Sequence, residues 1–123
     1  MGTENMLLHV DVVVADGAPL AFEDGTGILS GAARVKNETV LSASGDDFTK
    51  RGRVPTMFKM KLQFGQKDIP SNFSKMQGVQ ITARDSQSGR RVLMTKCTFA
   101  EMGDIGGGSV DVTYNVLSEP QWL

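Results

Sequence analysis

TMFKMKLQF, residues 56–64, decides the fold. Phe58, Met60, Leu62 and Phe64 fall on one side of a two-residue period, and Met57, Lys59, Lys61 and Gln63 fall on the other. That period belongs to a strand, whose successive side chains point to opposite faces. One apolar face and one polar face are the pattern of an antiparallel sheet packed on a core on one side only.

The same grammar extends in both directions. Downstream, Val79, Ile81 and Ala83 alternate with Gln80, Thr82 and Arg84, and Ser86–Gly89 reads as a turn. A strand from Val92 to about Glu101 follows. After the Gly103–Gly108 turn, Val110, Val112, Tyr114 and Val116 alternate with Ser109, Asp111, Thr113 and Asn115. Upstream, Met6–Ala15 reads as a first strand ended by Asp16-Gly17, and Leu20–Glu23 as a short second strand stopped by Asp24-Gly25. Ile28 to about Leu41 reads as a third.

Two stretches break the pattern. Residues 42–55, SASGDDFTKRGRVP, carry no period and contain Gly45, Gly52 and Pro55, so they read as a long loop of the kind that carries function. DIPSNFSKM, residues 68–76, places Ile69, Phe73 and Met76 at i, i+4 and i+7, with Pro70 in the first turn and Gly78 as a stop. This predicts one short helix, about residues 68–77, needing a sheet to pack on.

The 123 residues fit a single domain, and 40% apolar with 22% charged residues is ordinary for a globular one. The net charge of −1 gives no global pull toward nucleic acid or membrane. It is unevenly placed. Residues 1–47 hold two basic residues against eight acids, and residues 48–123 hold eleven against six, so −6 is followed by +5. Such patches are either two solvated faces or surfaces through which copies attract head to tail. A secretory leader is not expected, because the apolar run at Met6–Leu8 is short and Glu4 stands where a basic flank would be. No stretch reaches the roughly 18 apolar residues of a membrane span.

Chemistry-bearing residues are sparse. His9 is the only histidine and Cys97 the only cysteine, so a metal site that uses His9 would need carboxylates for its other ligands, and a Ser–His–Asp or Cys–His unit would have to use His9. His9 with Asp11 at i+2 reads as a hydrogen-bonded strand histidine rather than a metal pair, and no catalytic residues, metal or cofactor are expected. Cys97, with Thr95 and Phe99 expected on its face, reads as a buried thiol. Gly106-Gly107-Gly108 does not lead from a strand into a helix and is a hairpin tip, not a phosphate loop. Lys50-Arg51-Gly52-Arg53 lacks the interleaved aromatics of a single-strand binder. Asn37-Glu38-Thr39 and Asn72-Phe73-Ser74 match the glycosylation pattern, which means nothing without secretion. From residues alone the chain is a one-domain β protein with a short helix, an assembly subunit rather than an enzyme.

In order, spacing and length these features resemble the tail tube protein of Mu-like contractile-tailed bacteriophages, from about Asp16 to Ser118. The likeness runs through ADGAPLAFEDGTGILSGAARV, KNETVLSASGDDFTKRGRVP, TMFKMKLQF, DIPSNFSKMQG, GVQITARDSQSGRRVLMTKCTFAEMGDI and GGGSVDVTYNVLSE, each ordinary hairpin grammar by itself. Residues 1–15 lie outside it as an N-terminal extension or arm. The resemblance implies a small β-sandwich or barrel with one flanking helix, and a long hairpin contributing to a ring-wide barrel. It implies hexameric rings stacked into a hollow tube in the virion tail, assembled in the host cytoplasm. Partners would be further copies of the chain, the tail sheath protein, and baseplate and tail-terminator proteins. Tape-measure protein and DNA would pass through the lumen without specific binding.

On that resemblance the strand 56–64 is the candidate lumen wall, with Lys59, Lys61 and Gln63 inward. The strand 34–41 is its expected hairpin partner, adding Arg34, Lys36 and Glu38. Lysines in a lumen would slow DNA unless carboxylates such as Glu38 offset them. The loop 42–55 is the candidate ring-stacking element, through Asp46, Asp47, Phe48, Lys50, Arg51 and Arg53. The competing expectations are a tube from an R-type bacteriocin or type VI secretion system, and a monomeric small β-barrel ligand-binding module. The last would need an aromatic cluster or a concave apolar pocket, and 7% aromatics, spread thinly, speaks against it.

Overall fold

The computed structural model describes residues 8–123. In chain order these form β1 (Val12–Ala15), β2 (Ala18–Pro19), β3 (Ile28–Ser30), β4 (Val35–Val40), β5 (Phe48–Arg53), β6 (Thr56–Gln63), α1 (Ser71–Ser74), β7 (Val79–Arg84), β8 (Arg91–Met102), β9 (Ser109–Val116) and β10 (Gln121–Trp122). The fold is mainly β, antiparallel throughout, with the single short helix. Seven strands lie in the order β2–β1–β7–β8–β9–β6–β3, and β10 pairs with β8. Strands β4 and β5 pair only with each other.

The stretch 56–64 does what its period demands. Strand β6 runs in full register with β9, from Thr56 opposite Val116 to Gln63 opposite Ser109. Residues directly opposite share a face, so Phe58, Met60 and Leu62 meet Tyr114, Val112 and Val110, and all six are buried. Val13, Ala15, Ile81, Ala83, Val92, Met94 and Cys97 from β1, β7 and β8, with Val116 of β9, complete the core. Each large side chain removed from water there contributes roughly 1.5–3 kcal/mol against chain entropy.

Strand β8 breaks its own alternation. Irregularities against β7, between Val79 and Ile81, and against β9, between Phe99 and Glu101, put extra residues into the ladder. Met94 and Cys97, three apart, are therefore both fully buried. Thr95 is only half-buried, with its hydroxyl 2.7 Å from Ser118 Oγ, so the face expected for Thr95 and Cys97 together is split. Bulges also bend a strand and increase its twist. The sheet curls until residues 20–23 span its two ends. Leu20 N–H reaches the Val13 carbonyl at 2.9 Å, while Gln63 N–H reaches Ala21 and Glu23 N–H reaches the Lys61 carbonyl at 2.9 and 2.8 Å. The hydrogen-bonded path nonetheless stays open, from β2 to β3, and does not close a barrel.

Several expected elements change. The Met6–Ala15 strand begins at Val12, with Met6 and Leu7 outside the described residues; Leu20–Glu23 makes only a single bridge, Phe22 to Leu62. Ile28–Leu41 is two strands, because Gly31 and Arg34 adopt left-handed backbone (φ 67° and 65°) and turn the chain between β3 and β4. The helix expected over 68–77 is one turn, Ser71–Ser74. Asp68 is spent on the Gly65 N–H at 2.6 Å and Pro70 stands as the cap residue, so helix begins only after it. Phe73 and Met76 do pack on the core, but Ile69 is left exposed.

Candidate functional site

Residues 35–53 form a hairpin that contributes nothing to the core. Its register runs from Val35 opposite Arg53 to Val40 opposite Phe48, and every residue of both strands is exposed except the half-buried Gly52. A lone two-stranded ribbon is marginal in water, and both outer edges of this one lack a partner strand among the described residues. One face carries Lys36, Glu38, Val40, Phe48, Lys50 and Gly52; the other carries Val35, Asn37, Thr39, Thr49, Arg51 and Arg53. Val40 and Phe48 face each other near the tip, and Leu41 beyond them is 81% exposed. In the turn, Asp47 Oδ1 accepts the Ser42 N–H at 3.2 Å.

The base of the hairpin is clamped. The Gly31 carbonyl accepts Thr56 Oγ1–H at 2.9 Å and the Arg34 N–H at 3.0 Å, and Val54 N–H reaches the Arg34 carbonyl at 3.0 Å. Only glycine fits at 31, because a Cβ there would lie 2.2 Å from the Pro55 carbonyl oxygen. A groove of about 420 Å³ opens beside this clamp, lined by Arg34, Arg53, Val54, Pro55 and Leu117 among others.

This arrangement corrects two expectations. Residues 34–41 do not pair with 56–64: β4 takes β5, and β6 already lies between β9 and β3. Residues 42–55 are not a loop throughout, since 48–53 is β5. Phe48, Lys50, Arg51 and Arg53 therefore sit on a strand and only Asp46 and Asp47 in the turn. The six candidate lumen residues fall into two separate groups, Arg34, Lys36 and Glu38 at the hairpin and Lys59, Lys61 and Gln63 on the outer face of β6. Carboxylates accompany two of these lysines. Lys36 Nζ is 2.9 Å from Glu38 Oε1, and Lys61 Nζ is 3.8 Å from Glu23 Oε2 with Asp111 opposite it in register. Exposed pairs of this kind add little stability, but they lower the local positive potential.

The chemistry-bearing residues are structurally engaged. His9 lies before β1 and places Nε2 2.7 Å from Asp24 Oδ1, and that hydrogen bond raises its pKa above 6.5. Asp11 instead accepts the hydroxyl and the N–H of Ser86, which lowers its pKa. The Cys97 thiol donates to the Met94 carbonyl at 3.6 Å, and burial pushes it up to about 11. Burial pushes the Tyr114 hydroxyl up to about 12; it donates to Met76 Sδ at 3.4 Å.

Sequence reasoning missed a second concavity. A cleft of about 370 Å³ is lined by Leu8, His9, Ile28, Phe58, Arg90 and Trp122 among others. The Arg90 guanidinium stacks 5.0 Å over the Trp122 ring, held there by β10, which the short EPQWL tail did not reveal as a strand.

No protein-family model and no curated protein sequence matches the chain. Its fold is similar to solved structures. One is a chain in the cryo-EM structure of an extracellular contractile injection system, the PVC sheath/tube terminator in the extended state. The TM-score is 0.62 at 10% identity, covering 91% of each chain. Another is a chain of the PVC sheath–tube complex in the extended state, with TM-score 0.59, 9% identity, and 91% of this chain and 86% of that one covered. At that identity the likeness is one of fold.

Proposed function

We propose that this protein is a non-catalytic structural subunit of the tube of a contractile tail or injection machine. Copies form rings, hexameric on the resemblance to Mu-like tail tubes, and the rings stack into a hollow conduit inside a sheath. The observation that carries the reading is the β4–β5 hairpin, exposed at every strand residue but Gly52 and without a partner strand on either edge among the described residues, which leaves it unsupported in a monomer. Edge-to-edge pairing with neighbouring hairpins would give a closed ribbon without free edges. The fold shared with chains of a contractile injection system supports it, as does the order of elements in the sequence. Sheath, baseplate, terminator and tape-measure partners follow from the same reading, as do assembly in the host cytoplasm and residence in the virion tail. So does a lumen that passes its cargo without binding it.

The hairpin also revises the lumen assignment. If it forms the inner wall, Arg34, Lys36 and Glu38 belong near the lumen with β5, and Lys59, Lys61 and Gln63 belong on another surface of the ring. Negative-stain microscopy of the purified protein tests the class: rings or tubes of constant diameter are expected. Replacing residues 36–52 by a short Gly-Ser link should leave a folded monomer. Tubes of normal diameter from that variant would sink the reading.

The cleft beside Trp122 favours one second reading, a monomeric module that binds a small apolar or aromatic ligand. It predicts a monodisperse monomer whose Trp122 fluorescence responds to such ligands, and the same purified sample distinguishes the two.

A further inference from the structure

The two ends of the β4–β5 hairpin carry opposite charge. Asp46 and Asp47 lie in the turn at the tip beside Leu41, while Arg34 and Arg53 lie at the base and line its groove. None of these four side chains forms an ion pair among the described residues. Tip and base are separated by the six residues of β4, roughly 20 Å at about 3.3 Å per residue, more than twice the ~8 Å screening length at physiological ionic strength. A hairpin cannot neutralise itself over that distance.

Arg34 sharpens the point. It occupies left-handed backbone at φ 65°, where glycine or asparagine would sit at lower cost. A non-glycine residue kept in such a conformation is a pointer to function. What the position supplies is a second arginine lining the groove with Arg53, together with Val54, Pro55 and the 60%-exposed Leu117. A guanidinium matches a carboxylate in charge and geometry.

We infer that the groove at the hairpin base receives the hairpin tip of a second copy of this chain. Asp46 and Asp47 pair with Arg34 and Arg53, and Leu41 covers the apolar floor. Tip and groove are different surfaces, so the contact is heterologous, and between stacked rings, where it does not close on itself, it adds copies head to tail. It gives ring stacking a direction and confines the stacking function to the tip and the base. The inference rests on the tube-subunit reading.

The test is charge reversal with cross-complementation. Asp46→Lys/Asp47→Lys and Arg34→Asp/Arg53→Asp are made separately; aspartate is chosen because it tolerates left-handed backbone. Tubes are scored by negative-stain microscopy and sedimentation. Each variant alone should need at least about tenfold more protein for tubes. An equimolar mixture of the two, and the variant carrying all four changes, should restore them. Restoration in the mixture also shows that both variants fold. Milder Asp46→Asn/Asp47→Asn should shift the threshold in the same direction. Tubes indifferent to both reversals, or lost in both and restored by neither mixture nor combination, would overturn the inference while leaving the tube reading intact. If the unmodified protein forms neither rings nor tubes, the tube reading fails first.

Discussion

Replacing Gly31 by alanine would put a methyl carbon 2.2 Å from the Pro55 carbonyl oxygen, where real Cβ atoms essentially never approach within 3.0 Å. The obstacle is backbone, so the strand start at Pro55–Thr56 must move. The left-handed φ of 67° costs an L-residue roughly 1–2 kcal/mol, and relieving the overlap about 1–3 kcal/mol more. The expected loss is therefore about 3.5 kcal/mol, a fall in Tm of roughly 10–15 °C for a domain of this length. Gly45→Ala is the control. Its φ is 93° but nothing lies within 4 Å of its added Cβ, so it carries the backbone cost alone, about 1 kcal/mol. Circular-dichroism melts measure both. Tube formation supplies a second readout, because the Gly31 carbonyl anchors Thr56 and Arg34 and its displacement re-aims the hairpin. Equal melting temperatures for the two variants, with Gly31→Ala still forming tubes, would refute the clamp.

Other outcomes follow from the titrating and buried groups. His9 has a raised folded pKa, so its bond to Asp24 contributes stability that is full below pH 6.5 and lost as pH rises through the folded value; His9→Gln should abolish that part of the pH dependence of Tm. Asp11, lowered by Ser86, contributes stability that is full above pH 3.8 and lost as pH falls through its folded pKa. Asp85 behaves alike: burial acts most strongly and raises its pKa, but the hydrogen bonds from His9, Gln87 and Ser88 together leave it lowered; Asp11→Asn should flatten the acid limb of the melting curve. Cys97 should resist thiol reagents at pH 8 in the folded protein and react at once in denaturant, since its thiol is buried with a pKa of about 11. Tyr114→Phe should cost no more than about 1 kcal/mol by chemical denaturation, because its hydroxyl meets only the weak acceptor Met76 Sδ.

Legibility varied with how local the deciding interaction is. The buried faces of 56–64 and 109–116 could be read residue by residue, because each face is set by side chains two apart. Val79–Arg84 was equally readable. The β5 strand was hidden because F-T-K-R-G-R contains one apolar residue and a glycine, and its pairing buries no side chain that hydropathy could reveal. The Ile28–Leu41 run concealed the Gly31–Arg34 turn, since Ala32, Ala33 and Arg34 do not announce a left-handed residue. The bulge that turns both Met94 and Cys97 inward has no sequence signal, and neither does the cleft at Trp122, whose lining comes from five separate segments.

That strand 56–64 exists, which of its side chains face the core, and that the chain is an antiparallel β protein were all legible in the residues. These follow from period and hydropathy, which act between neighbouring residues. Tertiary structure alone decided that 56–64 pairs with 109–116 and 28–30 rather than with 34–41. Backbone donors and acceptors are alike in every strand, so partners are chosen by which set of pairings buries the apolar faces together. That choice left 35–53 outside the core as a free hairpin, and with it the surface on which assembly is proposed to depend.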